Sequence, residues 1–517
     1  MISKEAIKRG YNRGNYVVGK HTPPHFAASI TQTPDAPGLQ RDAVTIDTAT
    51  LDALRGAADE VLTGTGDVVN WTRDWWAGSM MTETGGKPAT PRGAIVRVST
   101  VEQIQAVMRI AHAGAIPVTV SAGRSNVTGA ALPVRGGIVL DVCELNRLLG
   151  FDRESQIVEV ESGMFGDIFE QTIQHEYGMT MGHWPSSYAI STVGGWVACR
   201  GAGQLSTRYG KIEDMVVGMD VVLADGSLIT VGGYPRAALG PDLMQMFVGS
   251  EGTLGVIVRV RLKLHRLPDY GRAIAYGFSS FAIGLEACRQ IMQQGANPAA
   301  LRLYDELESG VQFGLPETNV LLVADEGAQE MVDAVMAIST RVCARLGDKL
   351  DGDAIFERWL DTRYLTGKSA EGFKRSPGFV ADTLEMAGPW SDLAAIYTDV
   401  VAAINAVPGT LAGSAHQSHA YVDGACLYFS LRGDVAVENR QQWYRAAWDA
   451  ANAVLIQYNA ALSHHHGIGL LRAPYMADSL DTAFPVLEAV KRALDPQNIL
   501  NPGKLGLSDV LAHESKK

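Results

Sequence analysis

The stretch Pro185-Ser-Ser-Tyr-Ala-Ile-Ser-Thr-Val-Gly-Gly-Trp-Val-Ala-Cys-Arg-Gly-Ala-Gly203 decides the reading of this chain. It packs four glycines and five hydroxyls into nineteen residues. Such a composition makes poor core and a good sheath for a polar ligand, because small side chains let backbone N–H groups approach. Gly201-Ala-Gly203 lacks the third glycine and the preceding strand of a dinucleotide fingerprint, which excludes a Rossmann reading. Two further segments share its character. Upstream, Thr119-Val-Ser-Ala-Gly-Arg-Ser125 runs into Asn126-Val-Thr-Gly129, a strand opening into a turn of small residues where Ser125 adds a donor. Downstream, Gly249-Ser-Glu-Gly-Thr-Leu-Gly-Val-Ile257 leads into a strand, with Gly252 and Gly255 bracketing a tight approach and Glu251 able to hydrogen-bond a polar ring or sugar.

The surrounding chain is that of a globular protein with more than one domain. It has 517 residues, 46% apolar and 19% charged. Asp and Glu outnumber Lys and Arg by 56 to 44, a net charge of −12, which argues against nucleic acid or an anionic membrane as partner. Five dispersed cysteines with no Cys-x-x-Cys argue against a disulfide framework or a cysteine zinc site and fit a reducing cytosol. No apolar run is long enough to span a membrane, and the basic, polar Met1–Gly19 does not read as a secretory signal.

Residues 1–90 read as an N-terminal arm rich in proline and a helical lead-in, Leu51 to Leu62. From Pro91 short strands alternate with helices. Thr100 and Gln103 form a capping box, Ile104, Val107, Met108 and Ala111 share a helix face, and Gly114 ends that helix. Met215 to Val231 reads as a hairpin turning at Ala224-Asp-Gly226. Near Pro268 the pattern shifts to longer helices (283–294, 329–346, 390–407) between strand-like runs. The chain therefore divides into 91–267, 268–480 and a closing segment, 481–517.

The second half carries candidate chemistry. Ser463-His-His-His-Gly-Ile-Gly469 cannot place three imidazoles on one face of a strand or helix, so it reads as a loop aiming one of His464, His465 and His466 at a reacting atom, where a pKa near neutral suits a general base. Adjacent histidines chelate one ion poorly, and no metal is expected. Tyr428 follows Asp423-Gly-Ala-Cys-Leu, with Arg432 just beyond. Arg302 sits among apolar neighbours, either paired with Asp305 or placed for an anion.

The order and spacing of the three small-residue segments resemble the flavoprotein family of vanillyl-alcohol oxidase and para-cresol methylhydroxylase, and Leu494-Asp-Pro-Gln-Asn-Ile-Leu-Asn-Pro-Gly-Lys504 resembles that family's closing segment. The resemblance implies an α+β fold: a two-part FAD-binding domain with an inserted α+β cap that covers the substrate. Within the family, Ser191-Thr-Val-Gly-Gly-Trp196, Arg208-Tyr-Gly-Lys-Ile-Glu-Asp214, Gly424-Ala-Cys-Leu-Tyr-Phe429 and the histidine tract are most similar to alkyldihydroxyacetonephosphate synthase. By position, FAD would be held by Ser121, Ala122, Gly123, Arg124, Ser125 and Asn126, then Ser186, Ser187, Ser191, Thr192, Gly194 and Gly195. Arg200, Gly201 and Ala202 follow, with Glu251, Gly252, Gly255, Val256 and Ile257. Tyr428 would transfer the proton, Arg302 would anchor a phosphate, and His464, His465 and His466 would form the essential tract.

Departures from the pattern shape the expected function. Ala122 and Arg124 stand where the synthase has glycine and threonine, which is similar to the alcohol and sugar oxidases. Asn126-Val-Thr128 offers no histidine where some oxidases attach their flavin, implying noncovalent FAD. In the D-2-hydroxyacid dehydrogenases a metal is held by His-x-x-Asp-Gly-x-x-His and a glutamate. Here His419 lies four residues before Asp423, Leu427 or Tyr428 replaces the second histidine, and His465 replaces the glutamate. The resemblance implies an FAD-dependent oxidoreductase passing hydride from an alcohol or 2-hydroxy acid to flavin N5. Tyr428 or His466 would take the proton, and Arg302 or Arg432 would hold an acidic group. Oxygen, a quinone or a protein would accept the electrons from a cytoplasmic homodimer. The alternative is a synthase-like transferase with no net redox change. A catalytically silent flavin binder is opposed by the presence of Tyr428 and the histidine tract.

Overall fold

The computed structural model describes residues 43–64, 71–84, 93–364 and 376–507. Most of the expected N-terminal arm and the last ten residues lie outside them. Asp47 caps a helix, Thr48–Ala57, by accepting from the Thr50 N–H at 2.7 Å. The expected continuation to Leu62 is instead a strand, Glu60–Leu62, paired antiparallel with Ala94–Arg97. Its Val61 and Leu62 pack on the first sheet, so tertiary pairing overrides the local helical pattern.

Ala94–Arg97 and Val118–Ser121 flank Ile138–Asp141 as parallel neighbours in a four-stranded sheet. The capping box of Thr100 and Gln103 forms as expected on the helix Val101–Ala113. This helix buries Ile104, Val107, Met108 and Ala111 against the sheet. A second, all-antiparallel sheet runs in the order Leu148–Asp152, Ile157–Glu161, Val256–Lys263, Val216–Val222, Leu228–Gly232. The helices Gly166–Tyr177 and Val193–Cys199 cover it.

Beyond residue 268 a seven-stranded antiparallel sheet follows, in the order Asp348–Leu350, Tyr270–Phe278, Asn319–Gly327, Ala300–Tyr304, Thr410–Ala420, Gly424–Asp434, Phe379–Pro389. The expected long helices appear as Phe281–Gln293, Gln329–Cys343 and Trp390–Asn405, and their apolar faces form the largest core with the sheet. The closing segment then returns to the first sheet. Leu500 bridges Val118, and Ile499 and Leu500 join its core. Buried Lys491 donates to the carbonyls of Thr253 (2.9 Å) and Leu500 (2.8 Å), and Lys504 to that of Leu132 (2.7 Å).

Candidate active site

A cavity of about 640 Å³ lies where the seven-stranded sheet faces the first two sheets. On one side its wall is built from the three small-residue segments. Gly123 is obligatory for their assembly: a Cβ there would lie 2.2 Å from the Ile190 carbonyl oxygen. Arg124, next to it, sits at φ +53°, a conformation costly for a side-chain-bearing residue, and its guanidinium lies 3.9 Å from the Trp71 ring.

The cavity brings together Ala122 through Asn126, Ser186, Ser187, Ser191, Thr192, Gly194, Gly195, Gly201, Ala202, Glu251, Gly252, Gly255 and Ile257. Facing them are Arg302, Tyr428, Arg432, His465 and His466. Four of the expected residues do not line it. Ser121 is buried beneath, contacted by Arg124. Val256 is a core strand residue. Arg200 points outward to Glu213 and Gln245. His464 lies behind His465.

The wall fits FAD on its own chemistry. Among the lining residues, the Arg124 Nε, the Ser162 hydroxyl and both His183 ring nitrogens are buried and have no hydrogen-bond partner. Burial alone pushes His183 down to about 3, so it is a neutral ring. Buried groups of this kind are costly unless a polar ligand satisfies them.

Opposite, the cap strands place a polar network that local sequence does not announce. Tyr428 pairs across the sheet with His416 on one side and Glu385 on the other. The His416 ring stacks on it at 4.7 Å and 10°. His416 Nδ1 meets a Glu308 carboxylate oxygen at 2.7 Å, while Ser414 (3.1 Å) and Ser430 (2.6 Å) donate to the other. Burial would raise the Glu308 pKa, but His416, the Ser430 hydroxyl and nearby Arg432 outweigh it and bring it down to about 2.

Glu385 shapes the histidine loop. It accepts from the backbone N–H groups of His464 and His466, the latter at 2.8 Å, from the Ser463 hydroxyl (2.8 Å) and from fully buried Arg472 (3.1 Å). Burial opposes its charge, yet Arg472 and His466 hold its pKa below the ordinary value. Glu251 clamps the same loop by accepting from the N–H groups of Ile468 (2.6 Å) and Gly469 (2.9 Å). Burial raises the Glu251 pKa to about 7 despite those bonds.

The Tyr428 hydroxyl hydrogen-bonds His465 Nε2. Burial, reinforced by Cys426 and Glu385, pushes the tyrosine pKa well up. Burial likewise holds His464 and His465 well below the ordinary imidazole range, and His466 at about 4. The near-neutral base expected from the sequence is thus a set of neutral rings. The structure also adds His419 to the tract: ligand atoms of His419, His464 and His465 lie within 4.8 Å of one another. The expectation of no metal rested on sequence spacing alone, and the fold supplies a third imidazole from another strand.

Arg302 and Arg432 line the cavity. Arg302 donates to the Tyr304 hydroxyl (2.9 Å) and to Ser418 (2.7 Å), not to Asp305, which caps the following helix instead. Arg363 shares the Trp359 ring with Arg302 but does not line the cavity. Its guanidinium lies 4.4 Å from the Trp359 ring, with that of Arg302 6.0 Å from the same ring. Arg363 is 8% exposed, with Nε and Nη2 unpartnered. Among the described residues neither arginine makes an ion pair.

Residues 92–232 match the family model described as an FAD binding domain, and residues 267–505 the model of FAD linked oxidases, C-terminal domain. Alkyldihydroxyacetonephosphate synthase of Trypanosoma brucei brucei is 30% identical over 460 residues, covering 80% of this chain and 73% of that protein. The FAD-linked oxidoreductase YgcU of Escherichia coli O157:H7 is 30% identical over 436 residues, covering 80% and 88%. The structure of p-cresol methylhydroxylase with substrate bound has the same fold, with a TM-score of 0.72 at 20% identity over 89% of this chain and 96% of that one. With an FAD-binding wall facing a cap sheet, and both halves matched, the chain belongs to the vanillyl-alcohol oxidase and p-cresol methylhydroxylase family of FAD-binding flavoproteins.

Proposed function

We propose that this flavoprotein is an oxidoreductase that oxidises a hydroxyl-bearing, anionic substrate such as a 2-hydroxy acid. The observation that carries this reading is the pair Arg302 and Arg432, two guanidiniums that line the cavity with Tyr428 and His465 and that, among the described residues, form no salt bridge. Half-buried guanidiniums with no carboxylate partner match a carboxylate or phosphate. The division near residue 267 separates an FAD-binding part, completed by 481–517, from a cap that supplies the substrate groups.

Bound noncovalently to the small-residue wall, FAD would supply the acceptor for an electron pair. The residues of the chain do the rest. Arg302 and Arg432 hold the acid group. Tyr428 takes the hydroxyl proton and His465 supports it through the bond to Nε2. Glu308 fixes His416, whose ring fixes the plane of Tyr428. Electrons would leave to oxygen, a quinone or a protein, and we place the enzyme in the cytoplasm as a homodimer.

A redox-neutral transferase is the second reading, favoured by the similarity to the synthase over 80% of the chain. Anaerobic mixing decides between them. Loss of the visible flavin band with D-lactate or glycolate supports the oxidoreductase. Ether formation from an acyl-dihydroxyacetone phosphate and a fatty alcohol, with no electron acceptor, supports the transferase and refutes our first reading.

A further inference from the structure

Behind the cavity the hydrogen bonds continue away from the substrate. The Tyr428 hydroxyl meets His465 Nε2, His465 Nδ1 lies 2.8 Å from His464 Nδ1, and His464 Nε2 lies 2.7 Å from the Tyr421 hydroxyl. Only the first two groups line the cavity. His464 is 7% exposed, and Tyr421 begins the turn between Thr410–Ala420 and Gly424–Asp434, where Val422 is 63% exposed. Tyr421 also interacts with Ser206, whose hydroxyl lies 2.6 Å from His419 Nδ1, and Glu213 stands nearby.

We propose that Tyr428, His465, His464 and Tyr421 form a proton relay that carries the substrate's hydroxyl proton from the cavity to this turn, with Tyr421 as its outer member. The inference rests on the reading of Tyr428 as the proton-accepting group. Two facing Nδ1 atoms at hydrogen-bond distance share a single proton, which fixes opposite tautomers on the two rings. With Nδ1–H on His465 and Nε2–H on His464, every group has one proton to give and one lone pair to receive. The substrate O–H bond breaks and an O–H bond forms at Tyr428, whose own proton passes to His465 Nε2. The Nδ1 proton of His465 passes to His464, and the Nε2 proton of His464 passes to Tyr421, whose hydroxyl proton leaves through Ser206 or water. No member changes charge overall. Burial keeps both imidazoles neutral, so neither traps the proton. Lys211, which donates to the His464 carbonyl at 2.6 Å, fixes the loop at the midpoint of the path.

The test uses the full chain with FAD bound, labelled with ¹⁵N-histidine. In the wild type, His464 should carry its proton on Nε2 and His465 on Nδ1. In Tyr421→Phe, with FAD content unchanged, the His464 Nε2–H signal should lose its hydrogen-bond shift, and the His465 signals should move with it. Flavin reduction by D-lactate or glycolate should slow on the order of 10-fold in that variant, with a larger effect of D2O. The relay is overturned by a wild-type His464 lacking the Nε2 proton, by histidine signals indifferent to Tyr421→Phe, or by stoichiometric zinc in the purified protein, which would occupy the ring lone pairs. If neither acid bleaches the wild-type flavin, the proposed function fails, while the nitrogen spectra still decide the relay.

Discussion

Replacing Glu308 by Gln removes the charge that holds His416 against Tyr428, and the structure gives the cost. Folding takes this carboxyl from its ordinary 4.5 to about 2. At 1.36 kcal/mol per pH unit of displacement, that is a contribution of about 3 kcal/mol at neutral pH. The sign follows from the direction. A depressed pKa stabilises fully above the unfolded value near 4.5, and the contribution drains away as the pH falls through the folded value. Urea unfolding followed by tryptophan fluorescence should therefore show Glu308→Gln less stable by about 3 kcal/mol at pH 7, shrinking to about 2 kcal/mol at pH 3.5. A variant within about 0.5 kcal/mol of wild type, or a gap that ignores pH, would refute the reasoning. Turnover should fall as well, because the His416 ring that stacks on Tyr428 is then free to turn.

Three other outcomes are expected. Tyr428→Phe should keep its flavin and lose turnover by about 10²-fold or more, measured as the anaerobic reduction rate; loss of FAD as well would make the tyrosine structural. Acid precipitation should release the flavin into the supernatant, and colour retained in the pellet would show a covalent bond. Arg302→Ala should weaken kcat/KM for an anionic substrate by about 10- to 100-fold, the worth of a charge-assisted hydrogen bond, while a neutral alcohol is unaffected; equal losses for both would mean that the arginine only supports the fold.

The small-residue wall of the cavity was legible because its chemistry is local. Close approach of backbone to a ligand demands small residues in unbroken runs, and three such runs survive in the sequence as strings around Gly123, Gly194 and Gly252. The capping box at Thr100 and the hairpin at Asp225-Gly226 were legible for the same reason. The helix of residues 51–62 failed because its second half is held by pairing with a strand more than thirty residues away. Thr410–Ala420, in the centre of the cap sheet, escaped notice because Thr-Leu-Ala-Gly-Ser-Ala-His-Gln-Ser-His-Ala has little β-branched or aromatic character. With it went His416, which meets Tyr428 only through that strand's register. The partners of the catalytic tract are remote in sequence: Glu308 reaches His416 across 108 positions, and Glu385 reaches His464 across 79.

The histidine tract shows why residue type alone misleads about role. An imidazole in a loop suggests a base with a pKa near neutral, and the sequence supports nothing finer. Folding buries His464, leaves His465 and His466 half-buried against the cavity, and sets beside the loop the carboxylate of Glu385, whose charge Arg472 already answers. His466, the ring nearest that carboxylate at 3.6 Å, still falls to about 4. An imidazole in that state does not take up a second proton at pH 7, so the tract has no standing positive charge with which to attract an anionic substrate. Under the proposed function that task belongs to Arg302 and Arg432, which line the cavity. The division of labour would then follow from burial: the guanidiniums would bind the anion, and the neutral imidazoles would pass the proton.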